Sequence, residues 1–399
     1  MPNDTFTGRN RMLSFEKQFV RAPQPGCDWA SQMILNPALI ADPDNPEKLH
    51  MLFRATGPWP AKQIPGKPLP FPIFLGYAVS ENGGRDWQFD FSRPALAPAL
   101  EYAREKLLTP DGKVNYTNGC IEDPRLFHFE GELFLTVACR AFPPGPYWEH
   151  DEPAQCMPEW ALDPAHGLGT AVTDNTTVSV LFRVDLDELA GRNYESAFRM
   201  IGPLHNPDRS DDRDVFLFPR RLEIGGKKRI VCIHRPKNPE RYDTSLDKPS
   251  IFFAAADLLT DFADDTKTDR ALFATPEFPW EADRIGASWP PVELEPGLWL
   301  LPYHGKQDEK IGYTQSFMLL RENGTLHPEI LVRPAERLLY ADQPWELEGE
   351  FTTPCLFSCS GVRMPDGRLL MGYGAADKKV GLASVDFDEL VHFLKNRIR

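Results

Sequence analysis

Apolar and polar positions alternate along this chain in short runs, and one arrangement of runs recurs five times. Each unit has an apolar strand, a turn containing Gly, Asn or Asp, and a second apolar strand that ends in a polar side chain. A third strand of small and aromatic residues follows. The second strands read LHMLFRATG, ELFLTVACRAF, KKRIVCIHRPK, GLWLLPYHGK and RLLMGYGAADK, and their polar ends are Arg54, Arg140, His234, His304 and Asp377. Period-two alternation bounded by turn residues predicts strands, not helices. The units fall at roughly 36–87, 120–189, 214–262, 285–323 and 353–390. No unit of this kind buries both of its faces alone, so the repeat predicts one all-β domain, a five-bladed β-propeller. Short peripheral helices are expected at ALEYAREKLL (99–108) and in the tail FDELVHFLKNRIR (387–399). In a closed ring the five polar ends gather near the axis. They differ from blade to blade, as an asymmetric ligand demands; a sugar-binding lectin would repeat one site per blade.

The second unit is interrupted by an insertion over 142–175, rich in Pro, acidic and aromatic residues. A long insertion without repeat character in a compact domain is usually functional, as a lid or an oligomer contact. Here Trp148 and Trp160, with Trp289 further on, are candidates to stack on a ligand. No apolar run reaches the roughly 18 residues of a membrane span. The N-terminal segment MPNDTFTGRNRML lacks the apolar core of a secretory signal, which favours a cytoplasmic location. Seven Cys without a C-x-x-C pair read as small buried thiols, and no metal-ligand spacing is present. The net charge of −14 disfavours nucleic acid and anionic membranes as partners. Any anion site must therefore be built locally, from clustered Arg, Lys and His.

The sharpest local signal is Ile121-Glu122-Asp123-Pro124-Arg125, which opens the second unit. Strand neighbours point to opposite faces, so only one of the two acids can face the axis. Pro124 fixes its own φ, and Arg125 can hold a carboxylate through two parallel hydrogen bonds. Asp123 then reads either as a general acid on a glycosidic oxygen or as part of an acid–Pro turn capped by an ion pair. The residues alone leave both readings open.

The stretches IEDPRL, DVFLFPRR with IHRP, IGASWPPVELEPGLWLLPYHG and GYGAADKKVGLASVDFDEL together resemble the signature segments of glycoside hydrolase family 130, the β-mannoside phosphorylases and β-mannosidases. The resemblance runs from about Asn36 to Leu390 and implies a five-bladed propeller that acts with inversion on a non-reducing β-mannosyl unit. It implies Asp123 as the acid, its proton passing through a sugar hydroxyl. It also implies sugar contacts from Arg54, Arg125, His304, Asp377 and Trp289, and a phosphate site from Arg213, His234, Arg235 and Tyr242. Arg140 has no assigned role. A homo-oligomer is a further implication.

In the phosphorylases of that family inorganic phosphate is the co-substrate and α-mannose 1-phosphate the product. Phosphate needs cationic and donor groups around it but no general base. The hydrolases need a carboxylate base, with roughly 6.5–9.5 Å between acid and base to admit a water. Glu149, Asp151 and Glu152 of the insertion are the residues that favour hydrolysis. The preferred expectation is phosphorolysis of a β-mannoside oligosaccharide without metal or organic cofactor, with β-mannosidase activity as the alternative and a non-catalytic sugar-binding propeller as the second. Five-bladed arabinan or fructan hydrolases need an early first-blade Asp, where this chain has Asn36-Pro37.

Overall fold

A computed structural model describes residues 13–57, 71–108, 110, 112–144, 157–349 and 353–398. It contains five antiparallel sheets in sequence order, a five-bladed β-propeller. The first blade comprises Met33–Ala41, Leu49–Thr56, Phe74–Ser80 and Gln88–Asp90. The second comprises Cys120–Phe129, Glu132–Arg140, Val178–Val184 and Phe198–Pro203. Asp212–Leu217, Lys227–Pro236, Ile251–Ala256 and Asp269–Ala274 form the third. The fourth is built on Arg284–Ala287, Leu298–Gln307, Gly312–Arg321 and Glu329–Val332.

The fifth blade joins Leu356–Arg363, Arg368–Ala375 and Lys379–Asp386 to a strand from the other end of the chain, Glu16–Arg21, which pairs with Lys379–Asp386. This outer strand lies outside the five units read from the sequence. It is tied in by Lys17, whose ammonium donates to Asp342 Oδ1 at 2.7 Å and to Glu346 Oε2 at 2.9 Å. Glu346 is fully buried and also accepts from the Tyr373 hydroxyl and from the amides of Asp342 and Gln343.

Hydrophobic burial sits between blades. Leu52, Tyr77, Leu135 and Val180 share a cluster across blades one and two. Phe134, Phe216, Phe253 and Trp299 link blades two, three and four. Phe317 and Leu319 meet Met371 and Val385 across blades four and five. Met51 and Phe53 pack with Val362 and Leu382 across blades five and one, and so close the ring. Each apolar strand face is thus covered by its neighbour, the burial that a single blade lacks.

Two helical expectations divide. The tail forms Phe387–Lys395, capped by Asp386, whose carboxylate accepts from the Glu389 amide. In 99–108 only Arg104–Leu107 is helical; Leu100 is left-handed at φ 58° and Ala103, directly before the helix, is extended at ψ 134°. Of the insertion, 142–144 and 157–175 are described, and the latter stretch contains short helical turns. Ala161, Val172 and Trp160 pack there against Leu107 and Phe142. Trp148, Glu149, Asp151 and Glu152 lie outside the described residues. Among the described residues no helix is long and apolar enough to cross a membrane.

Candidate active site

The first strands of blades one, two and three each carry a β-bulge at the same place. Register slips between Leu35 and Ala38, between Glu122 and Arg125, and between Arg213 and Phe216. The extra residue bends the strand and re-aims a side chain. The bulges contain Asn36, Asp123 and Asp214, with φ of 48°, 54° and 55°. Asn and Asp tolerate this left-handed region better than other residues with a Cβ. A further left-handed pair, Ala376 and Asp377, ends the second strand of blade five.

All four of these Asn and Asp side chains line an axial cavity of about 340 Å³. Its wall also contains Arg54, Arg140, Arg213, Arg235, Lys237, Arg284 and Lys306, with Tyr313, Phe357 and Cys355. Seven cations against three carboxylates, in a chain of net charge −14, mark a locally built anion-attracting site.

Asp123 is held on three sides. Asn36 Nδ2 donates to its Oδ1 at 2.8 Å and Arg54 donates to the same oxygen at 3.1 Å. Arg125 donates to its backbone carbonyl at 3.2 Å. Burial pushes its carboxyl up, but Arg54, the Asn36 hydrogen bond, Arg125 and Arg213 outweigh it and hold the group below the usual carboxylate range. Its neighbour Glu122 lies outside the cavity lining and turns to the same guanidinium nitrogen, pairing with Arg54 at 3.0 Å and with Arg213 at 3.6 Å.

Asp214 anchors a second group. Arg125 reaches its Oδ1 at 2.6 Å, Arg235 bonds Oδ2, and His304 Nε2 stands 3.4 Å from Oδ2. Burial opposes ionisation here too, yet Arg235, His304 and Arg125 hold this carboxyl well below its ordinary value. Arg140, Arg213 and Lys237 form a third group. All three act on buried Asp211 and keep it ionised against the cost of burial. Arg213 also reaches Thr177 Oγ1 at 2.9 Å, and Arg140 donates to the Asn175 carbonyl at 2.9 Å.

The residues expected from the sequence therefore separate. Asp123, Arg54, Arg213, Arg235 and Asp377 line the cavity together. Arg125, 2% exposed, lies beneath it and spans from Asp123 to Asp214 and to the Ser288 carbonyl. His304 is fully buried on Asp214 and Ser288, so it supports the cavity floor and does not line the cavity. His234 likewise turns away from the cavity, with Nδ1 2.9 Å from Asp212 Oδ2 and its ring between Tyr242 and Phe252. Tyr242 meets Ser210 Oγ at 3.1 Å, carries Arg209 and Arg270 over its ring, and is also outside the lining; burial pushes its phenol up to about 12.

Trp289 is a core residue. It is 3% exposed, edge-on to Phe317, and it fills the space where a Cβ on Gly361 would stand. Trp160 also serves packing, its indole N–H donating to the Tyr102 carbonyl at 2.8 Å. Sequence reasoning passed over Asn36, Lys237, Arg284, Lys306 and Tyr313 and left Arg140 without a role. Lys237 follows directly on the IHRP stretch, and Arg284 and Lys306 are partners across a strand ladder, which only the register shows. Cys120, Cys139, Cys232, Cys355 and Cys359 are buried thiols. Among the described residues no cluster of His, Cys, Asp and Glu is arranged to hold a metal ion.

Fold and site together define a five-bladed propeller with one polar, cation-rich axial cavity. Residues 246–396 match the model of glycoside hydrolase family 130, described as β-1,4-mannooligosaccharide phosphorylase, a stretch that takes in the last two of the four resembling segments. A β-1,2-mannobiose phosphorylase of Thermoanaerobacter is 32% identical over 111 residues, 28% of this chain and 35% of the relative. A β-1,4-mannooligosaccharide phosphorylase of Ruminococcus albus is 32% identical over 120 residues, 29% of this chain and again 35% of the relative. The matched stretches thus span about a third of the length of these curated relatives. The β-1,2-mannobiose phosphorylase of Listeria innocua has the same fold, with a TM-score of 0.59 at 17% identity, covering 95% of this chain and 93% of that one. A putative glycoside hydrolase of Parabacteroides distasonis superposes with a TM-score of 0.60 at 15% identity, covering 94% and 97%.

Proposed function

We propose that this chain is an inverting β-mannoside phosphorylase, releasing the non-reducing β-mannosyl unit of an oligosaccharide as α-mannose 1-phosphate. The observation that carries the reading is the group Arg140, Arg213 and Lys237 around Asp211, on the wall of the same cavity that Asp123 lines. A tetrahedral dianion needs such converging cations. Water needs none of them, which weighs against the hydrolase alternative. The carboxylates near Asp123 are engaged by Arg: Glu122 by Arg54 and Arg213, and Asp214 by Arg125 and Arg235. Neither is disposed to act as a base.

In the reaction a phosphate oxygen bonds to the anomeric carbon on the face opposite the leaving oxygen. The glycosidic C–O bond breaks, and its electron pair goes to the leaving oxygen, which takes the Asp123 proton directly or through a sugar hydroxyl. Asp123 must be protonated at that moment, although the unliganded site favours its carboxylate. Bound phosphate supplies the correction. Its negative charge beside Arg213 offsets a cation that holds Asp123 down, and a sugar over the cavity deepens burial, which already raises the carboxyl. The phosphate proton is released to solvent and Asp123 regains its own from solvent, so a mannoside and the hydrogen phosphate dianion give the mannose 1-phosphate dianion and a free hydroxyl. In this reading Asp377 and Asn36, which line the cavity, receive sugar hydroxyls, and Arg54 orients Asp123.

The test is product identity at saturating phosphate with β-1,2- and β-1,4-linked mannobiose. α-Mannose 1-phosphate is expected; free mannose formed at a rate independent of phosphate would establish hydrolysis instead.

A further inference from the structure

The phosphate reading uses one group of cations and leaves a second without a task. In blade four Arg284 and Lys306 are directly opposed across the ladder between Arg284–Ala287 and Leu298–Gln307. Like charges directly opposite in a sheet are destabilising. The fold nevertheless sets this pair on the cavity wall. The two share one carboxylate, Asp308, which Lys306 contacts closely and Arg284 reaches at 3.3 Å. Asp308 is itself held by its environment: its amide donates to Asp283 Oδ2, and burial is outweighed by Lys306 and Arg284 in keeping it ionised. The side chain of Asp308 remains 46% exposed, so its screening of the pair is partial.

This group has its own carboxylate partner. The cations acting on Asp211 are Arg213, Arg140 and Lys237, whereas those acting on Asp308 are Lys306 and Arg284. The Lys306 ammonium lies 5.0 Å from the Tyr313 ring centre, and Tyr313 also lines the cavity. A cation pair on the wall of a polar cavity suits a sugar that carries a negative substituent.

Resting on the phosphorylase reading, we propose that Arg284 and Lys306 bind an anionic group on the leaving sugar, so that the natural β-mannoside ends in an acidic unit. A uronate carboxylate and a sugar phosphate ester share the required chemistry. Neutral mannobioses are then poor surrogates for the true substrate.

Synthesis run in reverse tests this, with α-mannose 1-phosphate as donor and released phosphate as the signal. The acceptors are glucose and mannose, glucuronate and mannuronate, and the two hexose 6-phosphates. At least one acidic series should exceed its neutral parent about tenfold or more in kcat/KM, corresponding to about 1.4 kcal/mol, and which series does so identifies the group. In R284Q/K306Q that ratio should collapse towards one, mainly through a raised KM for the acidic acceptor, with the forward KM for phosphate within twofold of the parent. Equal or better use of neutral acceptors overturns the proposal. So does a variant whose phosphate KM rises in step with its acceptor KM, since the pair would then belong to the phosphate site. Absence of turnover with every acceptor, together with phosphate-independent release of mannose in the forward direction, overturns the phosphorylase reading itself.

Discussion

Replacing Asp123 by Asn removes a proton donor and one buried negative charge, and keeps the side chain's shape. Position 123 has φ 54°, which Asn adopts as readily as Asp. The amide oxygen can still accept from Asn36 and Arg54, the two donors now at 2.8 and 3.1 Å. Arg54 keeps its 3.0 Å contact with Glu122, and Arg125 keeps Asp214, so no buried cation is abandoned. The expected loss of stability is about 1 kcal/mol or less, the scale of one ordinary hydrogen bond. Loss of general acid catalysis costs about 10²- to 10⁴-fold in kcat, or about 3–5 kcal/mol of barrier. The assay compares D123N with the parent on mannobiose and on an aryl β-mannoside whose phenol departs as its anion. D123N should be crippled on mannobiose and within about tenfold of the parent on the aryl substrate, with an unfolding midpoint lowered by a few degrees at most. Equal losses on both substrates would refute the role of Asp123 as acid. D123A is a useful contrast, because a left-handed Ala adds about 1–2 kcal/mol of backbone cost.

Arg213→Gln should raise the KM for phosphate about tenfold or more, as expected for losing a charge-assisted contact, while saturating phosphate restores much of kcat; initial rates across a phosphate series check this. Lys17→Met leaves Glu346 buried without its cation and should cost about 3 kcal/mol, read by urea unfolding; K17M/E346Q should recover part of the loss, and a fully additive pair would argue against coupling. Asp214 gives a pH test. Its carboxyl is depressed in the fold, so its contribution is complete above its unfolded value of about 3.9 and is lost as pH falls towards the depressed value. Stability of the parent should therefore decline more steeply below about pH 4 than that of D214N, measured by unfolding at stepped acidic pH.

The sheets were legible because their period-two runs and turns are local signals. The outer strand of blade five was not. Glu16–Arg21 carries no unit of its own, and its register comes entirely from Lys379–Asp386, more than 350 residues away. In the site, the polar strand ends Arg54, Arg140 and Asp377 do line the cavity, but in blades three and four Arg235 and Lys306 line it instead of His234 and His304. Strand alternation gives a face, and it does not give depth. His304 and Lys306 share a nominal face, yet one is buried on Asp214 and the other stands further along the wall. Trp289 was misplaced for a related reason: an aromatic side chain near the site looks the same in sequence whether it meets a sugar or Gly361.

The left-handed residues of the cavity limit what evolution can write there. Asn36, Asp123, Asp214 and Asp377 occupy a backbone geometry that admits Asn, Asp and Gly readily and penalises the rest. At those positions the accessible alphabet is nearly binary, a carboxylate or its amide, and one base change in a codon interconverts them. Charge can be moved from blade to blade without disturbing a strand. An exchange such as Asn36→Asp would set a second carboxyl in contact with Asp123, where the two would share a proton, and so retune the acid without moving the backbone.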